Sequence, residues 1–63
     1  MPTNLVMRIM QKTALYDLLM LKRDNAQQGI TVKGLTELIN RAEAVMEAED
    51  VAWVEKKIAE LNA

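Results

Sequence analysis

The chain has no cysteine, histidine, serine or phenylalanine, and only one proline and two glycines. Without cysteine no disulfide can staple the fold, and without cysteine or histidine the soft-ligand metal sites are excluded. The same absences remove the usual pairings of nucleophile and base. Four threonines remain, Thr3, Thr13, Thr31 and Thr36, and none has a neighbour that would activate it. Two glycines cannot build a phosphate-cradling loop of either common type. No apolar run approaches the roughly 20 residues that span a bilayer, and Arg8 interrupts the only stretch resembling a signal core. The expectation is a non-enzymatic cytoplasmic protein with no cofactor, no metal and no membrane partner.

Sixty-three residues make one domain, 1–63, at a size where a single hydrophobic core is marginal. Such chains are reinforced by disulfides, a metal or oligomerisation, and the composition leaves the third. A hydrophobic fraction of 51% is enough to drive folding and more than so short a chain can hide alone.

The net charge of −1 gives no general attraction to nucleic acid. Its distribution is uneven. Residues 1–30 carry four cations and two carboxylates, whereas residues 31–63 carry four cations and seven carboxylates. A basic first helix lying beside acidic later ones accounts for this.

Three helices are expected. Thr3 or Asn4 can cap the first, at about 4–27, and Gly29 can close it in the left-handed conformation. Thr31 is the candidate cap of the second, at about 31–47, with Ile30 and Leu35 placed as a hydrophobic staple. Its apolar face runs through Val32, Leu35, Leu38, Ile39, Ala42, Val45 and Met46. Beyond Met46 the stripe jumps to Val51, Val54, Ile58 and Leu61, a rotation of roughly 130° at helical pitch. A bend near Glu47 to Asp50 with a third helix at about 49–62 explains the jump; one continuous helix from Val32 to Leu61 is the alternative. The fold class is all-α, an antiparallel helical hairpin with a short third helix.

The stretch Leu5 to Leu21 is the most informative. At about 100° per residue its side chains fall into three groups. Met7, Met10, Ala14, Leu18 and Leu21 form one apolar face, and Leu5, Ile9, Tyr16 and Met20 a second, with Thr13, Asp17 and Asp24 between them. The remaining arc carries Arg8, Gln11, Lys12 and Lys22, interrupted by Leu15 and Leu19. Two apolar faces call for two neighbours, so both are expected at the centre of a homodimeric helical bundle. Leu15 and Leu19, stranded among cations, are expected with Arg8, Lys12 and Trp53 to bind one larger protein.

Function on this reading is protein–protein interaction by a regulator, inhibitor or adaptor. The second reading is a dimeric nucleic-acid-binding regulator using Arg8, Lys12, Lys22 and Arg23. The carboxylates Glu43, Glu47 and Asp50 share a helix side, which a solvated acidic face explains better than a metal site.

Overall fold

The computed structural model describes residues 4–62, which form three helices: α1 (Leu5–Gln27), α2 (Leu35–Ala44) and α3 (Ala48–Leu61). Of the two cap candidates for α1, Asn4 acts: its Oδ1 accepts a hydrogen bond from the Met7 amide at 2.8 Å. Thr3 lies outside the described residues. At the other end Gly29 takes φ +75°, and the Ile30 and Gly29 amides donate to the carbonyls of Asn25 and Ala26. This double closure is the Schellman motif, which satisfies the last carbonyls of the helix and turns the chain back.

The second helix starts later than the sequence pattern predicts. Thr31 does not cap it; Gly34 does, at φ +81° and without a side-chain hydrogen bond. The β-branched run Ile30-Thr31-Val32 resists helix, and a glycine within the first turn adds to that cost. Nucleation therefore waits until Gly34 is passed, and the staple between Ile30 and Leu35 has no helix start to serve. The helix also ends early, at Ala44 rather than near residue 47.

Separation of α2 from α3 resolves the jump in the apolar stripe. Val45 and Met46 leave helical geometry, and Glu47, in extended conformation, precedes Ala48. The break lets part of each stripe meet the core, Leu35, Ile39, Ala42 and Met46 from the second and Val51 and Val54 from the third, while Val32, Leu38, Val45 and Leu61, expected on the same faces, are exposed. Its freed backbone is partly satisfied from outside, since the Gln11 carboxamide Nε2 donates to the Val45 carbonyl at 3.4 Å. Glu49 and Asp50 then occupy the first turn of α3, where carboxylates oppose the positive end of the helix dipole.

α1 packs against both shorter helices. The contact from Gln11 to Val45 puts the end of α2 beside the beginning of α1, so this pair is antiparallel. α3 returns parallel to α1: Arg8 reaches Asp50 at its start and Arg23 reaches Asn62 at its end. The core consists of Leu15, Leu35, Ile39 and Val54, with Leu15 and Val54 fully buried. Tyr16, Leu18, Leu19, Ala42, Met46 and Val51 pack around these four.

Leu15 is thus the hub on which α2 and α3 converge, not a surface residue. Leu19 likewise packs against the core. The arc of α1 read as a binding surface is the arc that faces its own chain.

A two-state domain of this length has a stability of about 3–9 kcal/mol. Leu15→Ala, which opens a cavity at the convergence point, should remove about 2–5 kcal/mol of it. Leu38→Ala, at a position 51% exposed on α2, should stay within about 0.5 kcal/mol. Urea titration followed by circular dichroism separates the two; equal losses would contradict the central position of Leu15.

Candidate interaction surfaces on helix α1

Two clusters of α1 side chains distinguish the molecule: a clamp facing inward and an apolar surface facing outward. The clamp is built on Arg8. Its Nε and Nη2 donate to the two Asp50 oxygens at 2.8 and 2.9 Å, and Nη2 also donates to Glu49 Oε1 at 2.5 Å. The fork geometry of the guanidinium matches one carboxylate with two bonds. Asp50 is almost wholly buried, whereas Glu49 is exposed. Arg8 is consequently held protonated, and its hydrogen bonds keep the Asp50 carboxyl below the usual carboxylate range against the opposing effect of burial.

A second electrostatic contact lies between the shorter helices. Burial and the neighbouring Glu55 carboxyl raise Glu43, while Lys22 on α1 pulls it back. Two like-signed side chains thus meet beside one lysine.

Outward, α1 exposes Leu5, Val6, Met7, Ile9 and Met10 in succession around Arg8, with Leu21 exposed further along. Of the residues expected at a dimer interface, Leu5, Met7, Ile9, Met10, Ala14 and Leu21 are exposed. Tyr16, Leu18 and Met20 are half-buried, and Tyr16 and Leu18 already support the core. The exposed apolar side chains divide into two grooves. One is bounded by Asn4, Val6, Met7, Met10, Gln11 and Ala14. The other, between α1 and α3, is bounded by Ile9, Lys12, Thr13, Tyr16 and Trp53.

The residues expected to act together as a partner site are therefore redistributed. Lys12 and Trp53 do meet, with the Lys12 ammonium 5.0 Å from the indole centroid. Arg8 is committed to α3, and Leu15 and Leu19 to the core. Sequence reading missed Lys57, whose ammonium lies 5.4 Å from the same indole centroid. Its position four residues after Trp53 on α3 was the available signal. It also missed Asp50 as the partner of Arg8, because no local spacing connects residues forty-two positions apart.

The basic residues considered for nucleic acid are similarly dispersed. Arg8 holds Asp50 and Glu49, and Arg23 donates to Asn62 at 2.7 Å and Asp24 at 3.2 Å. Lys12 lies over Trp53, and Lys22 is exposed beside the Glu43 region. No described helix is long and apolar enough to cross a membrane. Among the described residues no group of three or more acidic side chains is arranged to hold a metal ion. In comparisons with protein-family models, curated proteins and solved structures, the chain matches none of them.

The two carboxylates predict opposing pH effects. Asp50, lowered in the fold, contributes stability that is complete above its unfolded value of about 3.9 and lost as pH falls through the folded value. Glu43 is raised, so the fold favours its neutral form and acidification from neutrality toward about pH 4.3 should stabilise. The urea midpoint should rise as pH falls from 7, pass a maximum in mild acid, then drop. Glu43→Gln should flatten the neutral limb, and Asp50→Asn, less stable throughout, should flatten the acid limb; a monotonic profile in the parent protein would refute the pair.

Proposed function

We propose that the chain is a non-enzymatic helical interaction module that assembles as a homodimer and acts on a larger protein as regulator, inhibitor or adaptor in the cytoplasm. The observation that carries this reading is the exposure of five large apolar side chains, Leu5, Val6, Met7, Ile9 and Met10, at one end of the longest helix, with Val6, Met7 and Met10 lining one groove. Scattered exposed apolar residues are ordinary, but contiguous ones mark association surfaces. α1 has already used its third arc to bind α2 and α3, so among the described residues no further element covers them.

Charge favours a particular pairing. The Val6, Met7, Met10 and Ala14 surface is uncharged, which suits an isologous contact in which each copy presents the same patch. Asp17 and Asp24 lie further along the outer side of α1. A parallel pair would set each aspartate against its counterpart. An antiparallel pair crossing at Met10 keeps all four apart and opposes the two helix dipoles. Ala14 allows the backbones to approach near the crossing.

The nucleic-acid reading has less support, because Arg8 and Arg23 are neutralised within the chain. Phosphate binding depends on cations that are available to displace counterions.

Met10 is 66% exposed, so Met10→Glu leaves the core untouched while burying a charge at the proposed crossing. Sedimentation equilibrium should find a dimer for the parent protein and a monomer for Met10→Glu, with equal helicity at concentrations where each is folded. A monomeric parent protein, or a variant that dimerises as tightly, would reject the assembly.

A further inference from the structure

The groove between α1 and α3 differs from the proposed dimer surface in chemistry. Its floor is uncharged: Ile9, Tyr16 and Thr13, whose hydroxyl already donates to the Ile9 carbonyl at 3.0 Å. Its wall is Trp53, 49% exposed, and its volume of about 370 Å³ suits a few apolar side chains rather than a large ligand. Lys12 from α1 and Lys57 from α3 both bring ammonium groups to the one indole. Lys56 lies three residues from Trp53 on the same side of α3.

Each lysine gains from the quadrupole of the ring. Together they concentrate positive charge at one spot, which is an electrostatic cost in the free protein. Glu60, 3.8 Å from Lys57, offsets part of it. Glu49 and Asp50 are turned toward Arg8, although Asp50 still attracts Lys12 electrostatically. Lys12 has no carboxylate within ion-pair distance among the described residues. The groove therefore combines an apolar floor, an exposed tryptophan and a rim on which Lys12 forms no ion pair among the described residues and Lys57 only the 3.8 Å contact with Glu60.

We infer that this groove is a docking site for an acidic amphipathic helix of a partner protein, whose apolar side chain enters between Ile9, Tyr16 and Trp53 while flanking carboxylates meet Lys12 and Lys57. Helix-in-groove binding uses an apolar anchor row with charged flanks, and tryptophan is enriched among the residues that carry interface energy. A nucleobase fits less well. Ammonium groups already lie over the indole, where stacking of a base needs an open ring face. The inference rests on the interaction-module reading but not on the dimer, since Met10 belongs to the other groove.

Trp53 is the only tryptophan, so its emission reports this site alone. The probes are a synthetic amphipathic peptide with leucines at i, i+3 and i+7 and glutamates between them, its lysine counterpart, and oligothymidylate. The acidic peptide should shift Trp53 emission to the blue and saturate, in the parent protein and in Met10→Glu alike. Lys12→Glu/Lys57→Glu should weaken it by about tenfold or more and gain affinity for the lysine peptide. Thr13→Glu, a single change on the exposed floor, should weaken it too and serves if the double variant fails to fold.

Equal response to both peptides would overturn the inference, as would saturation by oligothymidylate in preference to the acidic peptide, or no saturable response to any probe. If the parent protein dimerises while the acidic peptide fails, the docking site falls and the interaction module stands. If the peptide binds and the dimer is absent, the assembly falls and the groove stands.

Discussion

The bond from Arg8 to Asp50 decides how α1 is rotated, and most of the architecture follows from that rotation. A guanidinium that spends two donors on one buried carboxylate and a third on Glu49 must face the start of α3. Leu15 and Leu19 lie along the same arc, two and three turns further on. They are carried inward with it and meet Leu35, Ile39 and Val54. Arg23 fastens the far end of α3 through Asn62, so both ends of that helix are tied to α1 by arginine. An arc that looks like a charged surface in sequence becomes a seam, with long cationic side chains closing over a short apolar row.

This explains which parts of the fold were legible. Helix boundaries marked by local chemistry were legible in outline: a cap at Thr3 or Asn4, Gly29 as a stop, and the displaced stripe between Met46 and Val51 as a bend in preference to one continuous helix. The start of α2 was misplaced because Thr31 offers a cap and Gly34 a veto, and the relative weight of those two signals depends on the β-branched run Ile30-Thr31-Val32 that includes Thr31 itself. The asymmetry of charge also carried true information. A basic α1 beside acidic α2 and α3 appears as Arg8 with Asp50 and Glu49, and as Lys22 near Glu43.

The rotation of α1 was harder to read. Three arcs of the helix contain leucine or methionine, and hydrophobicity alone ranks the two continuous faces above the arc broken by Arg8, Lys12 and Lys22. That ranking treats a cation as a mark of exposure. It fails wherever the cation has a buried partner, because the pair then contributes to the packed seam instead of opposing it. The partner, Asp50, sits in a different helix, and nothing within α1 announces it. The expectation that two faces need neighbours rested on sounder ground, since the area is a property of the sequence. After the intrachain contacts are made, the side chains of those two faces that stay exposed are Met7, Met10, Ala14 and Leu21 on one and Leu5 and Ile9 on the other, while Leu18 and Tyr16 turn in to support the core.

Division of α1 into three arcs also limits how this fold can change. Substitutions at Leu15 act on all three helices at once, and those at Arg8 on α1 and α3, because each shorter helix is anchored chiefly through α1. Those at Met10 leave the seam untouched and act on one outer groove; those at Lys12 or Lys57 act on the other, which α3 completes through Trp53. The two outer grooves share no lining residue: Val6, Met7, Met10, Gln11 and Ala14 bound one, and Ile9, Lys12, Thr13, Tyr16 and Trp53 the other. A long helix committed inward along one arc can therefore vary its two outer surfaces independently, one by apolar matching and one by charge. For a chain with so small a core, this is a physically economical way to hold two exposed grooves on one folded unit.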